Sequence, residues 1–407
     1  DWLVYGMGEM PVLELAYKIS IGESVEMIRR TKQIGYITNT KSSFFTDSLL
    51  LNSYEECLKS KEAFAANFNI IESESNSWSS KHIIEPVGDK FVHITSPWPL
   101  LTQQELDSVY DLPYTRKPHP RYGVKPISAY EMIKFSVNTH RGCFGSCTFC
   151  TISAHQGKFV QSRSENSVIK EVEKIVSMED FRGNISDLGG PSANMYKMEG
   201  KNLLQCHKCR RDSCIYPNIC NNLNNSHTPL LDLYKKVAVV KGVKKAFIGS
   251  GIRYDLFINE RGYLNDSGKT YLEEVITKHT SGRFKVAPEH TSDHVLKAMG
   301  KPSFKLFEKL KSEFKIITNK HNLKYQIVPY FISSHPGCKM DDMKSLAQNP
   351  HLKDISLEQV QDFTPTPMTR SSISFYTGID PKTMKKIFVE RDPKMKQKQK
   401  SFFFNKK

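Results

Sequence analysis

The chain carries 407 residues, with 58 Lys and Arg against 43 Asp and Glu for a formal net charge of +15, and 39% of it is hydrophobic. That length exceeds one ordinary hydrophobic core, so a large barrel-type domain plus a further unit is expected. A membrane span is excluded, because no stretch approaches the roughly 20 uncharged apolar residues it needs; even the most apolar window, Val237 to Ile248, is broken by Lys241, Lys244 and Lys245.

Residue 1 is Asp, and the opening residues carry no basic n-region followed by an apolar h-region, so a cytoplasmic location is expected. Nine cysteines are too few for a disulfide scaffold of this size. Seven of them fall in two tight clusters, which in a reducing compartment points to metal ligation.

The apolar run Trp2 to Tyr5 meets Gly6-Met7-Gly8-Glu9 and then an apolar-periodic stretch, Val12 to Ile19, a strand, glycine turn and helix. This predicts a Rossmann-like, doubly wound α/β segment over residues 1–128, although two glycines say little about nucleotide binding. Leu49 to Asn67 is expected to be a further helix. The stretch from Ser96 to Ser128, with Pro97, Pro99, Pro113, Pro118, Pro120 and Pro126, is a connector.

From residue 129 to 380 short strand-like runs alternate with helical patterns. Strands are expected at 133–137, 183–188, 245–249, 283–287, 326–331 and 359–363, and helices at 164–176, 230–241, 270–278, 292–298, 303–319 and 341–347. Such alternation implies parallel β/α units with right-handed crossovers, and six of them an incomplete, TIM-type (β/α)6 barrel. The insertion 190–228 is aperiodic and holds the second cysteine cluster. The tail, 381–407, is crowded with lysines, is expected to be solvated and disordered, and adds to a basic excess that favours polyanionic partners.

The segment His140-Arg141-Gly142-Cys143-Phe144-Gly145-Ser146-Cys147-Thr148-Phe149-Cys150 follows the first of these strands. Three thiols within eight residues converge only if the chain loops around a centre, which Gly142 and Gly145 permit. On a four-iron cube three thiolates leave one iron without a protein ligand, open to a substrate or cofactor. A zinc loop borrowing a distant His is the alternative.

The C-x-x-x-C-x-x-C spacing with an aromatic before the last Cys resembles the signature of the radical S-adenosylmethionine (SAM) superfamily. The resemblance implies that Cys143, Cys147 and Cys150 hold a 4Fe–4S cluster whose fourth iron chelates the amino and carboxylate groups of SAM. Reduction then yields a 5′-deoxyadenosyl radical, the electron coming from a donor such as flavodoxin or ferredoxin. Phe149 is expected near the adenine. Where the superfamily has Gly-Gly-Glu after the second strand, this chain has Asp187-Leu188-Gly189-Gly190-Pro191, so only Gly189 and Gly190 carry over as cofactor contacts, with Asp187 a candidate substitute carboxylate.

Taken with 187–196, Cys206 to Cys220, 249–255, 286–290 and 329–337, the chain resembles the YgiQ family of radical SAM proteins over roughly residues 1 to 400. That family's reaction is not established, so the resemblance names no substrate. Many related enzymes carry a cobalamin domain, but residues 1–128 hold no cobalt-ligating Asp-x-His motif.

Cys206, Cys209, Cys214 and Cys220 place four thiols within fifteen residues, which suits either tetrahedral zinc or a fully ligated second 4Fe–4S cluster. Chemistry in β/α barrels gathers at the C-terminal strand ends. There Arg253 and Glu289 are candidates for the SAM carboxylate and ribose, with a structural salt bridge weighed equally for each. His335 and Cys338 sit in a Pro-Gly turn, where Cys338 is a substrate-side thiol or a free buried cysteine.

The leading expectation is a radical SAM enzyme of unassigned substrate. The alternatives are an RNA-modifying member of that class, on the strength of the basic charge, and a non-catalytic, metal-dependent nucleic-acid-binding module.

Overall fold

Short β-branched and aromatic runs bounded by glycines set the parallel strands of the larger region. The computed structural model describes residues 2–41, 47–355 and 359–404. Ser136–Asn138 pairs in parallel with Asp187–Gly189, and Asn184–Ile185 with Lys245–Ala246. A parallel bridge from Ile252 to Val286 carries the succession to Arg283–Glu289. That strand pairs with Gln326–Ser333, and Gln326–Ser333 with Gln359–Asp362, again in parallel. Neighbours in space thus follow the order of the chain, which fixes all the C-terminal strand ends on one side.

The intervening helices bury one stripe each. Ser164 caps Glu165–Val176 by accepting from the Ser167 N–H, and Val168, Val172 and Ile175, spaced four and three apart, are buried. Asn265 caps Asp266–Lys278 in the same way, and Lys305–Lys320 buries Leu306, Phe307, Leu310, Phe314 and Ile317. Phe284 on its strand stacks on Phe314, centroids 5.4 Å apart, so helix and strand share one core.

Three sequence expectations are corrected. The N-terminal region is not a doubly wound parallel unit: its sheet runs Leu3–Val4, Ile34–Thr38, Lys90–Ile94, Ile83–Val87, Leu49–Leu50, and every pairing is antiparallel except the last. The cause is a hairpin whose two-residue turn starts at Gly88, φ 59°, a conformation that favours glycine, which returns the chain directly beside itself instead of through a crossover helix.

The expected single helix from Leu49 to Asn67 is a short strand followed by Tyr54–Lys59 and Lys61–Ser75, because Ser53 and Ser60 each cap a new helix. The tail is not wholly solvated either. Pro393–Phe404 is a helix, Phe403 is buried, and Gln399 is 0% exposed and accepts from the Ser334 N–H and hydroxyl, both at 3.1 Å. Its apolar and amide side chains recur at helical spacing, which outweighs the surrounding lysines; residues 405–407 lie outside the described residues.

Gln399→Ala leaves the buried Ser334 donors unpaired and should cost about 1–3 kcal/mol, read as a lower urea midpoint at unchanged slope. An unchanged midpoint would mean that this helix does not dock.

Candidate active site

The three-cysteine loop is built on a small antiparallel base in which His140–Arg141 pairs with Gln161–Ser162. Gly142 sits at φ 84°, and a Cβ there would run into the Phe159 carbonyl, so only glycine lets the loop turn inward. The Gly142 N–H donates to Gln156 Oε1 (3.1 Å), the Cys143 N–H to the Gly157 carbonyl (3.1 Å), and the Cys150 N–H to the Cys147 carbonyl (3.1 Å). Distant segments clamp the far side: Thr148 donates through its N–H to the Met299 carbonyl (3.0 Å) and through its hydroxyl to the Ala298 carbonyl (2.8 Å), while its own carbonyl accepts from the Ser371 N–H (2.9 Å).

Arg253 is the charge at the centre. Its Nη1 donates to Cys147 Sγ at 3.0 Å, and its Nε and Nη2 grip the Asp255 carboxylate at 2.9 and 2.5 Å. A Cβ at Gly145 would approach Nη1 to 2.6 Å, so glycine makes room for the guanidinium. Burial pushes the Asp255 carboxyl upward, but Arg253 outweighs it and holds the group below the usual range. Burial raises the Cys143 thiol, with Arg253 and a 3.4 Å contact to the Ser192 hydroxyl pulling it back, and pushes Cys150 up to about 12.

The three thiols are electrostatic neighbours, and as soft donors on a loop with no fourth cysteine of its own they suit a cluster gripped at three corners. Among the described residues no three His, Cys, Asp or Glu side chains stand close enough together to hold a single ion.

Beside the loop, at the C-terminal strand ends, lies a cavity of about 430 Å³. Phe149 forms one wall and Glu289 another, with Gly249, Gly251, Ala287, Tyr330, Thr364 and Thr366. Glu289, at φ 68°, is buried; its carboxyl is raised by burial against the pull of Lys301, 3.9 Å away, and of Arg253. Gly189 and Gly190 edge the loop instead: the Gly189 carbonyl accepts from the Thr139 N–H (2.6 Å), and a Cβ on Gly190 would collide with the His140 ring. Arg253 is committed to Asp255 and Cys147.

Asp187 is held by the Gly249 and Ser250 N–H groups at 2.9 and 3.2 Å and so ties the second strand to the third. Cys338 is fully buried, with its thiol pushed up to about 12 by burial, and lies 3.6 Å from His290 Nε2.

The second cysteine cluster packs directly on the first loop. The Phe144 carbonyl accepts from the Cys214 N–H (3.1 Å) and the Ser213 hydroxyl (3.0 Å), and Ser146 Oγ donates to the Asp212 carbonyl (2.5 Å). Burial pushes Cys214 up to about 11, Lys158 pulls it down, and Cys220, Cys209 and Cys206 push the same way as burial, so the four thiols sense one another.

Sequence reasoning missed Ser192 and Asn194. Asn194 accepts from the Arg253 N–H (2.8 Å) and donates to its carbonyl (3.0 Å), fixing where the guanidinium starts. Both lie in the segment that followed the second strand, but nothing in their residue type singled them out.

The model of the radical SAM N-terminal family matches residues 1–136. A UPF0313 protein of Bacteroides thetaiotaomicron is 50% identical over 99% of this chain and 67% of its own length. UPF0313 proteins of Porphyromonas gingivalis and Methanosarcina acetivorans are 49% and 40% identical, over 99% and 98% of this chain and 64% and 56% of theirs. The chain belongs to the UPF0313, or YgiQ, family of radical SAM proteins.

This UPF0313 chain spans 56 to 67% of the length of those relatives. Among solved structures, the radical SAM methyltransferase TsrM of Kitasatospora setae with cobalamin and a 4Fe–4S cluster aligns at 14% identity and TM-score 0.47, over 92% of this chain and 55% of its own. The cobalamin-dependent SAM radical enzyme OxsB aligns at 11% and 0.48, over 93% and 39%. Likeness at that level identifies no substrate.

Removing Arg253 strands a buried carboxylate, so Arg253→Met should cost about 3–5 kcal/mol, with Arg253→Met/Asp255→Leu recovering part of it in denaturant titrations. Burial holds His290 at about 4 and His227 and His335 at about 3, below the ordinary 6.5. The unfolded chain takes up protons that the native one declines, so their stability contribution is complete above about pH 6.5 and is lost as pH falls toward 4 and then 3. A denaturant midpoint unchanged between pH 7 and pH 5 would contradict this.

Proposed function

We propose that this protein is a radical SAM enzyme built on a partial (β/α)6 barrel, working in the cytoplasm with a one-electron donor such as flavodoxin or ferredoxin. One observation carries the reading: a three-thiol loop stands at the C-terminal end of the first parallel strand, with a buried guanidinium bonded to its middle sulfur. With a 4Fe–4S cluster and SAM bound, such a site supplies one-electron cleavage of the sulfonium to a 5′-deoxyadenosyl radical.

The protein's own residues have distinct tasks in this proposal. Cys143, Cys147 and Cys150 grip the cluster, and Arg253 offsets the negative charge of their thiolates, as N–H donors to cluster sulfurs do generally. Gly189 and Gly190 bring backbone close to the cofactor amino group. Phe149 gives the adenine a flat wall in the cavity, and Glu289 accepts from the ribose hydroxyls.

A polyanionic substrate such as RNA is the second reading. It is favoured by a cavity of about 510 Å³ that Ser146 and Thr148 line with Arg210, Arg211, Lys297, Arg370 and Lys382, whose positive charge outweighs the negative charge of the lining Asp212 and Asp380. Binding of tRNA that weakens steeply between two salt concentrations supports it, and no binding at low salt removes it.

Anaerobically reconstituted protein with dithionite and SAM should release 5′-deoxyadenosine and methionine. In Cys143→Ala/Cys147→Ala/Cys150→Ala release should fall to the no-enzyme background; release equal to the wild type would overturn the assignment.

A further inference from the structure

Lys158 is 1% exposed, and among the described residues its ammonium meets a carbonyl and the Phe159 ring but forms no ion pair with a carboxylate. Its ammonium donates to the Arg211 carbonyl. A buried ammonium with only a neutral partner costs several kcal/mol, by order of magnitude, unless a negative charge stands near it. Lys158 lines one cavity together with Cys206, Cys214 and Cys220. Neutral thiols would not offset it, whereas four thiolates on a metal centre would.

The cluster has other features of a thiolate site. Asn222 Nδ2 lies 3.3 Å from Cys206 Sγ and the Arg211 N–H points at Cys209 Sγ from 3.4 Å, the kind of N–H to sulfur bonds that stabilise metal-bound thiolates. Gly200 leaves the space into which Cys206 Sγ projects, where a Cβ would collide with it. The Cys220 N–H donates to the Cys214 carbonyl at 2.7 Å and the Cys209 N–H to the Cys206 carbonyl at 3.1 Å, folding the segment back on itself twice.

We infer that Cys206, Cys209, Cys214 and Cys220 draw together on a second metal–thiolate centre of net negative charge when the metal binds, with buried Lys158 as its counter-cation. Zinc and a 4Fe–4S cube share that chemistry, each giving a dianion with four thiolates. Filling all four positions from the protein makes the centre a closed one, and its bonds to Phe144 and Ser146 make it a brace for the first loop. The site stands apart from SAM chemistry, so the test is run where SAM chemistry is absent.

Full-length Cys143→Ala/Cys147→Ala/Cys150→Ala, purified anaerobically and desalted, is assayed for zinc, iron and acid-labile sulfide. About one zinc per chain, or about four irons with matching sulfide, supports the centre and names its metal. No stoichiometric metal overturns it, as does metal content unchanged by adding Cys206→Ser and Cys220→Ser. Lys158→Met should weaken metal retention against a competing chelator about 10–100-fold while Lys158→Arg stays close to the parent; equal retention in Lys158→Met refutes the counter-cation. In the otherwise unaltered protein, chelation should speed trypsin cleavage after the exposed Lys208, Arg210 and Arg211 by loosening the backbone around them, and an unchanged cleavage rate counts against the brace.

Discussion

A largely buried guanidinium, bonded on one side to a thiol and on the other to a carboxylate, governs how the site and the segments around it are arranged. Arg253 survives burial because Asp255 takes two of its donors and Cys147 a third. Holding that fork demands a fixed backbone, which Asn194 supplies by bonding the Arg253 N–H and carbonyl together. It also demands clearance, which Gly145 supplies. The third strand's continuation, the segment after the second strand and the three-cysteine loop are thereby locked to one another through a single side chain.

The loop itself has little structure of its own and borrows it. Met299 and Ala298 hold Thr148 from one helix end, Ser371 holds it from another, and the cysteine-rich insertion holds Phe144 and Ser146. A site whose thiols are carried on a short loop but whose backbone is clamped by segments far apart in the chain can be precise without being on a rigid element. The ion pairs of Arg370 with Glu72 and Asp212 extend the same logic, since they tie the N-terminal region, the insertion and the C-terminal helices at one half-buried point. Burial raises the Glu72 carboxyl despite that partner.

The sequence by itself determined the period of the parallel region, because helical stripes such as Val168, Val172 and Ile175 and short strands bounded by glycine are local patterns of 3.6 and 2. It determined the three-thiol and four-thiol clusters, because ligand spacing is local too. Tertiary structure alone decided the rest. Gly88 was one glycine among 22 until the hairpin it permits turned the N-terminal sheet antiparallel. Gln399 sat in a run of lysines until Ser334 approached it, and Lys158 had no mark of burial until the insertion covered it. Pairing of charges and donors across long separations leaves no periodicity in the chain, so no local pattern could have announced that Arg253 would face Cys147.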